Sequence, residues 1–399
     1  MIDAVLRRGE PLDQAAPPLL RAVTRADDRA LATAIAQEVL RWLVDLDGLI
    51  DSAMRQPLPD DAKARSVLRM MLVQVLRLGL PPHAVIATAL PLLSGGPRRL
   101  AHGVFSALLA RGDALPPAPG LAEAVGMRWG LAWPNRLAAI GAGLAEPPPL
   151  DLTLSDPAAT DHWVQVLGGV SLMPGHVRLA RGAAVETLPG FGDGAWWVQD
   201  LAAAIPARLI GAPRFAGARA LDLCAAPGGK TLQLAAAGWQ VTALDRSARR
   251  LERLSDNLAR TGLVADVVAA DALTWEPATG FDAILIDAPC SASGTARRHP
   301  DVLHRQPALG ELVQLQAALL ARAAQWLNPG GTLVYAVCSL EPVEGEDQAR
   351  GFAGTPAPVT AGELPQGLAP TPEGWLRTDP GMLAGVGGLD GFFAARWLA

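Results

Sequence analysis

Apolar residues recur at helical spacing through the first part of the chain. Leu31, Ile35, Val39, Trp42, Leu43 and Leu46 mark one helix, with Asp27 or Asp28 as its cap. Val67, Leu68, Met71, Leu72, Val75 and Leu76 mark a second, and Pro81–Pro82 and Gly95-Gly96-Pro97 punctuate the next elements. Residues 1–115 are therefore expected to form an all-helical domain, with the Pro- and Ala-rich stretch Leu115–Gly120 as a linker. The pattern over 121–212 is mixed and predicts a small α+β subdomain. After Pro147–Pro149, the run Leu150-Asp151-Leu152-Thr153-Leu154 alternates as a half-buried strand does.

Over 213–399 the rhythm becomes strand, loop, helix, strand. Strands are expected at Ala220–Leu223, Val241–Leu244, Val264–Ala269, Ala283–Ile286 and Thr332–Val337. Helices are expected at Lys230–Ala237, Ser247–Arg260 and Leu309–Leu327. Alternation of this kind implies an α/β, Rossmann-like parallel sheet with right-handed crossovers. Ligands of such sheets sit at the carboxyl ends of the strands.

Half of the 399 residues are hydrophobic and 18% are charged, enough for a sizeable core. The longest uncharged stretch, Leu78–Pro97, is broken by four prolines and does not predict a membrane helix. Met1–Glu10 lacks the apolar segment of a signal peptide. Three cysteines cannot build a disulfide framework and point to a reducing cytoplasm. The net charge of -5 is not that of a general nucleic-acid binder. Residues 1–130 nevertheless hold 15 basic against 13 acidic residues, so an RNA ligand would be met by local arginine clusters. Lys63 and Lys230 are the only lysines, which makes a lysine inside a glycine-rich loop less incidental.

That loop is Leu221-Asp222-Leu223-Cys224-Ala225-Ala226-Pro227-Gly228-Gly229-Lys230, a strand-to-helix turn whose small residues let backbone approach a ligand. It is neither a G-x-G-x-x-G nor a P-loop, and a purely structural turn would look similar. Asp245, closing the next strand, stands where an acid can grip ribose hydroxyls. Asp271 after the following strand is a candidate for an adenine amine, or a plain surface acid. Together they favour an adenosine-type cofactor held by residues 224–230, Asp245, Arg250, Asp271 and Asp287. Two cysteines stand just past apolar strands, in Ile286-Asp287-Ala288-Pro289-Cys290 and Tyr335-Ala336-Val337-Cys338-Ser339. Either alone reads as a small buried hydrophobe, but two at equivalent strand ends suggest one cleft. No C-x-x-C or suitably spaced His accompanies them, so neither a metal nor a redox pair is expected.

The runs Asp222–Lys230, Asp287–Gly294, Arg297-Arg298-His299-Pro300-Asp301 and Gly330–Ser339 resemble the motifs of the NOL1/NOP2/Sun family of RNA (cytosine-5) methyltransferases. Gly194–Asp200 and Asp390–Ala394 resemble its flanking motifs, and the N-terminal helices are similar to a NusB-like RNA-binding domain. The likeness covers nearly the whole chain and is strongest over 190–345. It implies a class I methyltransferase domain using S-adenosyl-L-methionine on ribosomal RNA of the small subunit; the oligomeric state is open, with a monomer as the default expectation. By the same resemblance Cys338 attacks cytosine C6, Cys290 assists elimination, and Asp287 binds the base's N3/N4 edge. Lys230 would lie near the cofactor or the flipped base. Arg297 and Arg298 would hold RNA, although a solvated basic turn fits them as well. Val337 stands where the family commonly has Thr. A DNA methyltransferase would use Cys290 as nucleophile, whereas a small-molecule methyltransferase or a non-catalytic RNA-binding assembly factor would need neither thiol.

Overall fold

The computed structural model describes residues 1–399, which divide into two compact units. One comprises Met1–Pro147 with Ala296–Pro307, and the other Pro148–Thr295 with Ala308–Ala399.

The first unit is all-helical. Its core gathers Val39, Leu40, Trp42, Leu46 and Ile50 against Val67, Leu68, Met71, Leu72 and Phe105. The first expected helix is two, Ala26–Arg41 and Leu43–Ser52, because Trp42 leaves helical geometry at φ -105, ψ 19. Asp27 and Asp28 do not cap it. They lie in the first turn behind Arg25, where acids suit the helix dipole.

Leu115–Gly120 is a connector inside this unit and not the boundary expected there. The Gly120 N–H donates to Asp45 Oδ2 at 2.8 Å. The helices Glu123–Ala132 and Leu137–Leu144 come next within the same unit. Arg41 Nη1 donates to the Leu144 carbonyl at 2.8 Å, and Arg77 Nη2 reaches the Ala145 carbonyl and Glu146. Buried Glu38 accepts from Arg41, Trp42 and Arg77. Arg65 and Arg69 are paired with Asp47 and Asp51. Several arginines that count towards a basic N-terminal region thus form internal ion pairs.

The segment Ala296–Pro307 belongs here too, so the expected 213–399 domain is interrupted. Arg41 Nη2 donates to the Arg297 carbonyl at 2.7 Å, and the Leu12 N–H donates to Asp301 at 3.3 Å. Hydrogen-bond partners distant in sequence decide this membership, and no local pattern announces it.

The second unit opens with strands β1 (Leu150–Leu154), β2 (His176–Leu179) and β3 (Trp196–Val198) in the order β2-β1-β3. Asp151 on β1 is buried, with both carboxylate oxygens 2.7 Å from the Arg178 guanidinium on β2. Next come β4 (Arg219–Leu223), β5 (Gln240–Asp245), β6 (Asp266–Ala269), β7 (Phe281–Asp287) and β8 (Leu327–Val337). The last strands are β9 (Thr355–Pro356), β10 (Leu376–Arg377) and β11 (Phe393–Leu398).

The large sheet runs β10-β11-β8-β7-β4-β5-β6, with β4 to β8 parallel and β11 antiparallel to β8. Its central strands are buried almost throughout, as expected of strands covered on both faces. The chain extends the sheet one way from β4 through β5 and β6, and the other way through β7 and β8. The crevice at β4/β7 is therefore its topological switch point, where the carboxyl ends open a ligand site.

Candidate active site

Cys224, Asp245, Asp287, Cys290 and Cys338 lie at or just past strand ends of the large sheet, while Lys230 and Arg250 lie in the first turns of the helices Gly229–Ala236 and Ala248–Thr261. After Leu223 the chain turns through Cys224 (φ 62), a cis Ala226–Pro227 peptide and Gly228 (φ 108) into the helix Gly229–Ala236. Glycine is required at 228: a Cβ there would lie 2.3 Å from Leu254 Cδ1 in a backbone conformation that side chains resist. Asp245, 2% exposed, accepts from the Ala226 N–H through one oxygen and from the Ser247 N–H through the other. Arg250 lies 3.5 Å from Asp245 and donates to the Ala226 carbonyl. Asp271 is exposed and caps its own turn through the Leu273 N–H. Burial and the nearby Asp245, Asp287 and Asp222 push the Cys224 thiol up to about 12, so it stays protonated.

On the other side of the crevice, Lys230 Nζ lies 2.7 Å from Asp287 Oδ2 and 5.3 Å from the centre of the Phe392 ring. Burial opposes the lysine's charge. The Asp287 carboxylate, with Asp222 and Cys338 adding, still holds the ammonium above its ordinary range. Asp287, the last residue of β7, pairs with Ala336, the last but one of β8, and this sets the two cysteine loops side by side. Cys290 Sγ is 3.4 Å from Cys338 Sγ. The Cys338 sulfur as hydrogen-bond partner, then burial, push the Cys290 thiol far up. Cys290 is therefore held as a thiol, and either sulfur can be the donor of the contact between them.

Residues 213–396 match the family described as 16S rRNA methyltransferase RsmB/F, and residues 2–96 match the NusB family. The chain is 36% identical over 438 residues to a Klebsiella pneumoniae protein named ribosomal RNA small subunit methyltransferase B, covering 99% of this chain and 95% of that one. It is also 36% identical to the Cronobacter sakazakii protein of the same name, covering 99% and 96% of the two chains. The chain belongs to the RsmB/F methyltransferase family. The solved structure of PH0851 shares the fold across 99% of the chain, with a TM-score of 0.74 at 22% identity.

Members of this family are S-adenosylmethionine-dependent, and the crevice fits that cofactor. Asp222, fully buried at the end of β4, accepts from Thr231 through Oδ2, while Oδ1 has no donor. Burial pushes this carboxyl up to about 7. A buried carboxyl oxygen lacking a partner suits the cofactor's ammonium group, and Asp245, with acceptor capacity left on each oxygen, suits ribose hydroxyls.

Arg297 and Arg298 are not brought to this crevice as part of its unit. Both belong to the helical unit, where Arg297 is 4% exposed and Arg298 half-buried. Several neighbours of the site had no role of their own in the residue patterns, although Gln199 and Phe392 fall in the flanking motifs Gly194–Asp200 and Asp390–Ala394. Phe392 covers Lys230, and Gln199 packs against Gly229 and bonds Gln233. Behind the thiols lies a buried cluster of Ser291, Ser293, Ser339 and Glu344. The three serines fall in the motif runs Asp287–Gly294 and Gly330–Ser339, whereas Glu344 lies outside every run singled out.

Proposed function

We propose that this chain transfers a methyl group from S-adenosylmethionine to C5 of a cytosine in small-subunit ribosomal RNA, through a covalent bond from Cys338 to C6. The observation that carries this reading is the 3.4 Å approach of two thiols beside the Lys230–Asp287 pair, at the mouth of a nucleotide-type crevice. Cytosine C5 is a poor nucleophile, so a thiolate must first add to C6. Cys338 attacks as the thiolate, its proton having passed to solvent. As the S–C6 bond forms, the C5=C6 electron pair shifts towards N3. N3 takes a proton from the Lys230–Asp287 pair, leaving an enamine at C5. The bound cofactor supplies an electrophilic sulfonium methyl at that carbon. The C5 proton then passes to solvent, its electron pair restores C5=C6, and the Cys338 thiolate is expelled as N3 returns its proton. Cys290, held as a thiol, donates a hydrogen bond to the departing sulfur and assists elimination.

The target base has to be unstacked to enter. The helical unit supplies RNA affinity, with half-buried Arg298 a better phosphate contact than buried Arg297. The same reading takes the protein as a monomer in a reducing cytoplasm, where its three cysteines stay free thiols.

The test is labelled-methyl transfer to protein-free small-subunit rRNA with each cysteine replaced in turn. Cys338→Ala is expected to abolish turnover and adduct, and Cys290→Ala to accumulate a covalent enzyme–RNA complex that dissolves slowly. Swapped outcomes would make Cys290 the nucleophile. Unimpaired turnover in both would remove thiol catalysis altogether. Methyl groups mapped to adenine or guanine would refute the substrate assignment.

A further inference from the structure

Glu344 is a fully buried carboxylate in the turn after β8 and has no role in the chemistry above. Burying a carboxylate is costly unless donors surround it, and here they converge from both cysteine loops. From the Cys290 side, the Ser291 N–H donates to Oε1 at 2.9 Å and the Ser291 hydroxyl donates to Oε2 at 2.6 Å. From the Cys338 side, the Ser339 hydroxyl donates to Oε2 at 2.5 Å. Gln316 Nε2, on the helix Leu309–Trp326, completes the set on Oε1 at 3.1 Å. The Ser293 hydroxyl accepts from the Leu340 N–H at 3.0 Å and lies 3.2 Å from Ser339 Oγ. Ser291 and Ser339 immediately follow Cys290 and Cys338 in sequence.

We propose that Glu344 is a positioning residue for methyl transfer: its carboxylate clamps Ser291 to Ser339 and so fixes the two neighbouring thiols in mutual register. The clamp joins residues 291 and 339 through one side chain, by charge-assisted hydrogen bonds to both loops. The β7–β8 ladder ends at Asp287 and Ala336, so the ladder alone does not hold the cysteines three and two residues further on. The Glu344 charge also helps keep the Cys290 thiol protonated, after the Cys338 hydrogen bond and burial. This inference deepens the proposed mechanism and rests on it. Its first readout therefore uses no RNA.

Full-length wild type, Glu344→Gln and Ser339→Ala are treated with dibromobimane, which fluoresces only when both arms have reacted, and the bridge is mapped to the Cys290 and Cys338 peptides. Steady-state methylation of small-subunit rRNA then gives kcat, KM and the pH profile. Both variants are expected to cross-link at least about tenfold more slowly and to lose kcat by a similar factor, with KM for RNA unchanged. In Glu344→Gln alone, the alkaline limb of kcat moves to lower pH, because only that variant removes the charge. Cross-linking at the wild-type rate in both variants would overturn the proposal. So would losses that merely track a fall in thermal midpoint and cofactor affinity. Should Glu344→Gln not fold, Ser339→Ala decides by the same readouts. Slowed cross-linking in an enzyme whose wild type methylates no rRNA would reject the RNA reading while supporting the clamp.

Discussion

Replacing Gly294 by alanine tests whether the Cys290 loop tolerates any displacement. Gly294 comes after the hydroxyl cluster and meets the approach to strand β11 backbone to backbone: the Gly391 N–H donates to the Gly294 carbonyl at 2.8 Å. The Gly294 N–H in turn donates to the Cys338 carbonyl at 3.1 Å. A Cβ at 294 would lie 1.9 Å from Gly391 O and 2.6 Å from Gly391 C, where ordinary contact begins at 3.4 Å. Gly294 does not occupy the left-handed region, so the conflict is purely steric. One loop must therefore retreat by about 1.5 Å, an overpacking that costs about 1–3 kcal/mol. The retreat carries Cys290 away from Cys338, or lifts Phe392 from Lys230. A misplacement of about 1 Å in reacting groups costs on the order of 100-fold in rate, so kcat should fall by about that factor. Cofactor affinity should hold, since the loop 224–230 and Asp245 lie elsewhere in the crevice. The assay is steady-state transfer of labelled methyl to rRNA, with calorimetry for the cofactor and a thermal melt. A kcat within about threefold of wild type would refute the reasoning, because the loops would then have absorbed the Cβ without consequence for the thiols.

Three further outcomes concern buried groups. Burial raises the Asp222 carboxyl to about 7, with the Asp287 charge adding, so folding takes up a proton between about pH 4 and 7 and stability falls as pH rises through that window. Asp222→Asn should flatten that slope in urea unfolding without cofactor and weaken cofactor binding; an unchanged slope would assign it to another group. For Asp151, burial opposes ionisation, but Arg178 and His176 hold the carboxyl well below the usual range, so its contribution is present above the ordinary carboxylate pKa and is lost in acid. Asp151→Ala strands Arg178 and should cost about 3–5 kcal/mol in denaturant unfolding at neutral pH; a loss under about 1 kcal/mol would contradict the pairing argument. Gly228→Ala forces a Cβ to 2.3 Å from Leu254 and should weaken cofactor binding at least about tenfold by calorimetry; wild-type affinity would show that the helix simply shifts.

The parallel sheet and the loop 222–230 were legible in the sequence because their signals are local. Apolar runs of strand length, with an acid or a cysteine at or just past their ends, need no knowledge of distant residues. Some boundaries held closely: β1 spans Leu150–Leu154 as the alternation predicts, and the helix expected from Ser247 starts at Ala248 with Ser247 as its cap, whereas β8 begins at Leu327 and not at the expected Thr332. What the tertiary structure decided is what depends on separation in space. Gly120, Leu144 and Ala145 bond back to Asp45, Arg41 and Arg77, so the helical unit runs to Pro147. Arg41 also engages Arg297, removing 296–307 from the methyltransferase unit. Glu344 carries no motif that marks it, because its role is to accept hydrogen bonds from residues 53 and 5 positions away. Local pattern fixes which residues stand at strand ends, but only the ladder register of β7 on β8, with the buried carboxylate behind it, brings two sulfurs to 3.4 Å.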